Sequence, residues 1–408
     1  MAKKAPKKLK TGKPGSSLVF QVVQALKLKE GFRMTVESVG TGKTIRGEFE
    51  HGRTYTPGAK ICAKVLDEKK KGLFLVEPEG GFDDPEAIDK QVKDFFRKIP
   101  KTEIHLHLEG VVRRETLLKL SQRDRQSKIK SMDDVNRLFN FKNLGEFIRV
   151  FIAVQNSIHE VKDFEFLFDD LRKYIKDNNI VYAEIFLAIS KFVQKGFRYE
   201  DMVEILSNRI REFERKEGNK VRLIIDVGRT FGPKSAQENL ERVLAHPQEM
   251  VLGIGLGGDE KTGAAPKFIK TFKQAIKNGL HVVAHAGEDV GPKSIWDAVK
   301  KLGAERIGHG LAAIEDPKLM QYLQSKKIPV EVCLTSNVFT GRYTRELTTH
   351  PVQTFGPKGM MVTVNSDDPT FFHTDLSTEY YYFHKYLHFP LSDILVFLEN
   401  GVTATFHP

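Results

Sequence analysis

Residues 105–110 read His-Leu-His-Leu-Glu-Gly. Side chains two apart in a strand point the same way, so His105 and His107 share one face while Leu106 and Leu108 take the other. Two imidazoles in register inside a packed core are costly to bury without purpose, and a metal ion supplies one. His285-Ala286-Gly287-Glu288, His309-Gly310 and Ser366-Asp367-Asp368-Pro369 place further imidazoles and carboxyl groups at the ends of other apolar stretches. Singly these are weak signals, since a lone strand histidine is usually a packed residue and Asp-Asp-Pro is commonly a turn. Together His105, His107, His285 and Asp367 make a His3Asp set for one borderline-soft divalent ion, most naturally Zn2+, with a position left for water.

The elements that must carry these residues are legible in the apolar pattern. From residue 101 onward TEIHLHL, IVYAEIFLAI, VRLIIDVG, MVLGIGL, LHVVAHAG, RIGHG, IPVEVCL and MMVTVNSDD are eight strand candidates. Stretches such as DFEFLFDDLRKYIKDN and EDMVEILSNRIREFERKEG alternate with them and have helical periodicity. Near-continuous apolar strands joined by helices imply a parallel sheet covered by helices. Eight such units favour a closed (β/α)8 barrel of the TIM type over an open doubly wound sheet, and no Gly-x-Gly-x-x-Gly opens the first turn. In a closed barrel the first and eighth strands are neighbours, which brings His105 and His107 beside Asp367, with His285 across the lumen. The polar residues then converge on the C-terminal rim, where such barrels hold substrates.

Ahead of the barrel, residues 17–85 hold short segments rich in Val, Phe, Ile and Thr, separated by TG, HG, PG and KKKG turns. They predict a small β-rich accessory domain, with the barrel over 86–408. Gly42-Lys43-Thr44 has the ending of a phosphate-binding loop, but Glu37 stands where its first glycine is required. The formal charge is +11, from 64 Lys and Arg against 53 Asp and Glu. Six lysines (Lys3, Lys4, Lys7, Lys8, Lys10, Lys13) and no acid occur in the opening MAKKAPKKLKTGKP, so residues 1–16 are read as a basic disordered tail and the rest is near balance. Nucleic acid is not the expected partner. A nucleic-acid-binding protein is kept as a rival reading because Phe20, Phe32, Phe49 and Tyr55 lie in the β-rich unit, although aromatic residues there are more often core. Two cysteines, Cys62 and Cys333, build neither a disulfide framework nor a Cys-rich zinc module. No run of about 18 apolar residues is present, so no membrane partner and a cytoplasmic location are expected. The oligomeric state is left open.

KTEIHLHLEG, GLGGDE, HAGE, RIGHG, TSNVFTG and NSDDP occur in the order and approximate spacing of the adenosine deaminase family, which the chain resembles over about residues 101–405. The resemblance implies a metal-dependent hydrolase that converts adenosine or 2′-deoxyadenosine to inosine or 2′-deoxyinosine plus ammonia in purine salvage, with one Zn2+ per chain and a small purine nucleoside as partner. It implies that His105, His107, His285 and Asp367 bind zinc, that Glu288 handles the proton at purine N1, and that His309 assists the attacking hydroxide. Asp368 is then expected at N7 and the backbone N–H of Gly258 at N3. NLGEFIRVF resembles the family's apolar lid helix, so Leu144, Phe147, Ile148 and Phe151 would cover the purine. Three features depart from the adenosine pattern. Glu109 stands where an Asp near the ribose 5′-hydroxyl is usual, Val364-Asn365-Ser366 is more adenine-like, and the chain stops at Pro408 where relatives usually continue. Gly258-Asp259-Glu260 matches the adenosine branch. Adenine, or another aminopurine such as aminodeoxyfutalosine, therefore remains the alternative substrate.

The chemistry also follows from the residues. A bound ion lowers the pKa of water from about 15.7 to about 7. Asp367 can orient that water, His309 can serve as a second polar partner or base, and a protonated Glu288 can donate to the ring nitrogen where charge builds. A binuclear amidohydrolase, the other enzyme reading, would need a lysine ending the fourth strand, and GIGLGGDE offers none before Lys261.

Overall fold

The protein's computed structural model describes residues 85–141 and 144–407, preceded by five strand segments, with side chains from residue 89 onward apart from 142–144. The lysine-rich tail, Tyr55, and the side chains of Phe20, Phe32, Phe49 and Cys62 lie outside the described residues. Two compact units divide the chain, one of Met1–Phe95 with Phe389–Asp393 and one of Phe96–His388 with Ile394–Pro408.

In the first unit β1 (Ser17–Lys27), β2 (Phe32–Ser38), β3 (Arg46–His51), β4 (Lys60–Lys70) and β5 (Leu73–Pro78) close a barrel in the order β1-β2-β3-β5-β4. Every pair is antiparallel except β3 with β5. Register shifts in β1 and β4 mark bulges, which bend strands enough to close so small a barrel. This is the strand order of a five-stranded OB-type barrel, a fold that hosts many functions and assigns none by itself.

The second unit is built on β6 (Lys101–His107), β7 (Ile180–Ala188), β8 (Lys220–Asp226), β9 (Val251–Leu256), β10 (His281–Ala286), β11 (Arg306–His309), β12 (Val330–Val332) and β13 (Val362–Val364). They form one parallel sheet in sequence order, the eight-stranded barrel that the sequence predicts. The first and last strands meet through a single parallel bridge between Leu106 and Asp367. There the Asp367 N–H donates to His105 O at 3.1 Å and the His107 N–H to Asp367 O at 2.9 Å. Side chains complete this seam: Asn365 Oδ1 accepts from the Ile104 N–H at 3.1 Å, and Glu103 Oε1 from the Ser366 N–H at 2.7 Å.

Amphipathic helices cover the sheet. Helix Tyr199–Glu217 buries Met202, Val203, Leu206, Ile210 and Phe213 at three- and four-residue intervals and ends at Gly218, whose φ of 80° suits a left-handed cap. β12 and β13 are shorter than the apolar runs predict, at three residues each. Their ends turn early, Cys333 into helix Leu334–Thr340 and Asp367 into the left-handed region at φ 61°. Inside the barrel Arg306 lies between Glu184 and Glu331 at 2.6 Å from each, fully buried. Its guanidinium also sits 3.7 Å over the Phe406 ring, so the charge is matched by ions and covered by an aromatic face.

Candidate active site

The ends of β6, β10 and β13 bring His105, His107, His285 and Asp367 together, with one ligand atom of each within 4.8 Å of the others. His107 Nε2 lies 3.3 Å from His285 Nε2 and 3.3 Å from Asp367 Oδ1, and His105 Nε2 lies 3.5 Å from the same oxygen. Tetrahedral ligation at about 2.0–2.2 Å separates donor atoms by about 3.3–3.6 Å, so these edges fit one zinc-sized ion. All four residues are buried, and His105 Nε2 has no hydrogen-bond partner. On the far side of that ring Nδ1 pairs with Glu331 Oε2 at 2.7 Å, so the Nδ1–H donates to the carboxylate and Nε2 faces the cluster as the ligand atom.

Electrostatics agree with a cation site. Burial lowers His107 and drives His285 well below the usual imidazole range, so both stand neutral with lone pairs available. Burial also opposes charge on His105, but Asp367 and Glu331 on either side outweigh it and push this ring up to about 10, so an ion taking the site would displace the Nε2 proton of this ring. Asp367 resists its own burial because His105, His309 and His107 surround it, and its carboxyl is held well below the usual range. Ser336 Oγ donates to Asp367 Oδ2 at 2.7 Å, which fixes the carboxylate plane.

A cavity of about 150 Å³ adjoins the cluster and is lined in part by His107, His285 and Asp367. Glu288, His309, Gly258 and Asp368 also line it. Glu288 Oε2 is 3.5 Å from His309 Nε2; burial, with Asp367 nearby, pushes the Glu288 carboxyl well above its usual range. The same two causes raise Asp368. Glu260 holds the loop that carries Glu288, accepting from the N–H groups of Gly287 (2.8 Å), Glu288 (3.0 Å) and Asp289 (2.9 Å) and from Ser294 Oγ. Gly110 and Gly258 are among the glycines that leave no room for a side chain. A Cβ on Gly110 would lie 2.4 Å from Asp368 Oδ1, and one on Gly258, at φ 99°, would lie 2.5 Å from Thr230 Oγ1. His309 and Asp367 adopt φ of 62° and 61°, a conformation costing non-glycine residues about 1–3 kcal/mol.

Residues 100–408 match the family model of adenosine deaminase. The chain belongs to the adenosine deaminase family. This deaminase is 33% identical to aminodeoxyfutalosine deaminase of Streptomyces coelicolor, over 87% of this chain and 90% of that protein. It is 34% identical to adenosine deaminase of Shigella flexneri, over 69% of this chain and 86% of that protein. Adenine deaminase of Arthrobacter aurescens has a similar solved structure, with a TM-score of 0.72 at 27% identity, covering 76% of this chain and 94% of that one. The deaminase is a hydrolytic enzyme of adenosine- and adenine-type substrates whose buried His3Asp group can hold a metal ion.

One expected substrate contact is placed differently. Glu109 of the deaminase is buried and is not on the cavity wall. Its Oε1 accepts from Gln155 Nε2 at 3.0 Å and from the Ala188 N–H at 3.3 Å, and burial pushes the carboxyl up to about 7. Gln155, from helix Leu144–Ser157, lines the cavity in its stead. Phe147, Ile148 and Phe151 of that helix line the cavity as expected, while the Leu144 side chain lies outside the described residues. Phe141, Phe339 and Phe372 join them, with Phe147 and Phe372 stacked at 5.2 Å. Sequence reasoning missed Ser336, Glu260, Glu331 and this aromatic wall. Glu331 had a signal, being a lone carboxylate inside the apolar run IPVEVCL.

Proposed function

We propose that the deaminase hydrolyses the 6-amino group of adenosine or 2′-deoxyadenosine, giving inosine or 2′-deoxyinosine and ammonia, with one Zn2+ on His105, His107, His285 and Asp367. The observation that carries this reading is the position of Glu288, on the wall of the cavity that the donor cluster shares and 3.5 Å from His309 Nε2, where burial raises its carboxyl and favours the acid form. The ion, when bound, supplies a Lewis acid that activates water at neutral pH. Asp367 Oδ2 and its partner Ser336 orient the attacking oxygen. As that oxygen adds to C6 the purine loses aromaticity and negative charge collects at N1, where Glu288 delivers its proton. Asp368, also protonated, donates to N7, and the Gly258 N–H approaches N3. These two contacts aim C6 at the cluster.

The cavity supports a neutral sugar. Among the described residues its lining holds no Lys or Arg, while Asp226 and Asp289 are present and Lys261, outside the lining, already pairs with Asp289 at 2.6 Å, so a 5′-phosphate would find no cation on this wall. Free adenine would leave the wall of Phe141, Phe147, Phe339 and Phe372 uncovered. A 5′-extended aminopurine such as aminodeoxyfutalosine is the second reading, favoured by that same aromatic wall. In this proposal residues 86–408 carry the chemistry, residues 17–85 are accessory, and the setting is cytoplasmic purine salvage. Among the described residues no helix is long and apolar enough to cross a membrane. Ammonia release from adenosine, 2′-deoxyadenosine, adenine, AMP and aminodeoxyfutalosine on one preparation tests it. The largest kcat/KM should belong to the first two. A preference for adenine or the extended nucleoside moves the deaminase to the alternative, and no release from any of them removes the proposal.

A further inference from the structure

Three buried groups run away from the cavity behind His309. Asn337 Nδ2 lies 3.0 Å from His309 Nδ1, His350 Nε2 lies 3.1 Å from Asn337 Oδ1, and the backbone N–H of Val352 donates to His350 Nδ1 at 3.1 Å. All three side chains are at most 1% exposed, so solvent cannot rearrange the chain.

The direction of every hydrogen bond in this chain follows from its far end. A backbone N–H can only donate. His350 Nδ1 must therefore be bare, and the ring's proton sits on Nε2, because an imidazole bare at both nitrogens would be an anion. His350 Nε2–H donates to Asn337 Oδ1. The opposite amide orientation would set its NH2 against that N–H, so Asn337 Nδ2 faces His309 and donates to its Nδ1. His309 Nδ1 is then bare as well, and its proton is forced onto Nε2, the atom 3.5 Å from Glu288 Oε2 and 4.0 Å from Asp367 Oδ2.

We propose that His350, through Asn337, locks His309 as a neutral N–H donor toward the reacting centre, so that His309 gives a hydrogen bond to the developing oxygen charge and does not accept the proton of water. His350 is a positioning residue and does not line the substrate cavity. This deepens the deaminase reading and rests on it for its kinetic arm only.

The test joins spectroscopy to kinetics on the metal-loaded, full-length deaminase. In 15N spectra of histidine-labelled protein, with His309 assigned by its own substitution, His309 should show a protonated Nε2 and a bare Nδ1 across the active pH range. His350→Leu removes the lock and should lower kcat by about tenfold or more with little change in KM. His350→Gln, which can donate an amide N–H to Asn337 Oδ1, should restore most of the rate. Asn337→Asp inverts the polarity by demanding a proton on His309 Nδ1, and should cost at least a hundredfold in kcat while the metal stays bound. A proton on Nδ1 in the unsubstituted protein, or an Asn337→Asp variant as fast as the parent, overturns the inference. The spectroscopic arm reads the same tautomer whichever aminopurine is the substrate, so a wrong substrate assignment and a wrong lock are told apart. Should His350→Leu fail to fold, the spectrum of the unsubstituted protein and the Asn337→Asp variant still decide.

Discussion

Glu260 is not one of the donor residues, yet its replacement by glutamine should be among the most damaging conservative changes in the deaminase. Its two oxygens receive three backbone N–H groups and the Ser294 hydroxyl. Glutamine turns one oxygen into a donor. The least costly amide orientation keeps the oxygen for Glu288 and Asp289, lets Ser294 rotate to accept, and strands the Gly287 N–H. A buried unsatisfied N–H costs about 1–3 kcal/mol, and the two surviving bonds each lose about 1 kcal/mol of charge assistance. The sum, about 3–5 kcal/mol, falls on one loop and exceeds what that loop can hold without shifting. A displacement near 1 Å at Glu288 costs about a hundredfold in rate. The expected phenotype of Glu260→Gln is therefore a kcat lowered about a hundredfold, near-normal KM, and full metal content, because His285 is anchored in β10 and not in the loop. Steady-state kinetics with metal analysis on the same sample measures all three. A kcat within threefold of the parent refutes the reasoning, and loss of metal would show that Glu260 supports β10 as well.

Ser336→Ala removes a donor to the buried Asp367 carboxylate, worth about 1.5–3 kcal/mol, and should lower kcat by roughly ten- to a hundredfold at 1.4 kcal/mol per decade; a twofold effect in single-turnover assays would contradict the role. Glu288→Gln should keep its metal and lose about 10²–10⁴ in kcat, whereas His285→Ala should lose the metal, as stoichiometric metal analysis will show. Glu288 acts as an acid with a raised pKa, so its working form prevails below that value and kcat should fall as pH rises through it. A rate that instead falls toward low pH across the neutral range would mean Glu288 works ionised. A chain beginning near Pro85 should keep its metal and its kcat, and a collapsed kcat with metal still bound would mean that the β-rich unit completes the site.

The barrel was legible because its strands are apolar runs interrupted only where side chains reach the rim. The cluster was legible because a two-residue period makes His105 and His107 inseparable and closure of the barrel delivers Asp367 to them. What stayed hidden depends on distant segments. Glu109 occupies the expected strand end, but its direction is set by Gln155 and Ala188, 46 and 79 positions away, and no local pattern announces those donors. Glu260 and Ser336 sit inside recognised motifs, and nothing in their residue type tells a side chain that holds a buried loop or carboxylate from one that faces water. Asn337 and His350 are close in sequence, yet their joint effect on His309 appears only once the Val352 amide is seen to point at the ring.

The bridge between Leu106 and Asp367 gives the ion a second consequence, unconnected with turnover. Any local opening that parts β6 from β13 must pull Asp367 away from His105 and His107, so strand separation and release of the ion are one event. Occupancy then acts as a latch. At a free metal concentration a hundredfold above its dissociation constant, linkage adds about 2.7 kcal/mol to the cost of such an opening, enough to slow amide hydrogen exchange at Ile104, Ser366 and Asp367 by about a hundredfold while amides in the middle of β7 and β8 change little. A cell short of the metal would then hold a deaminase whose seam between β6 and β13 opens about a hundredfold more often.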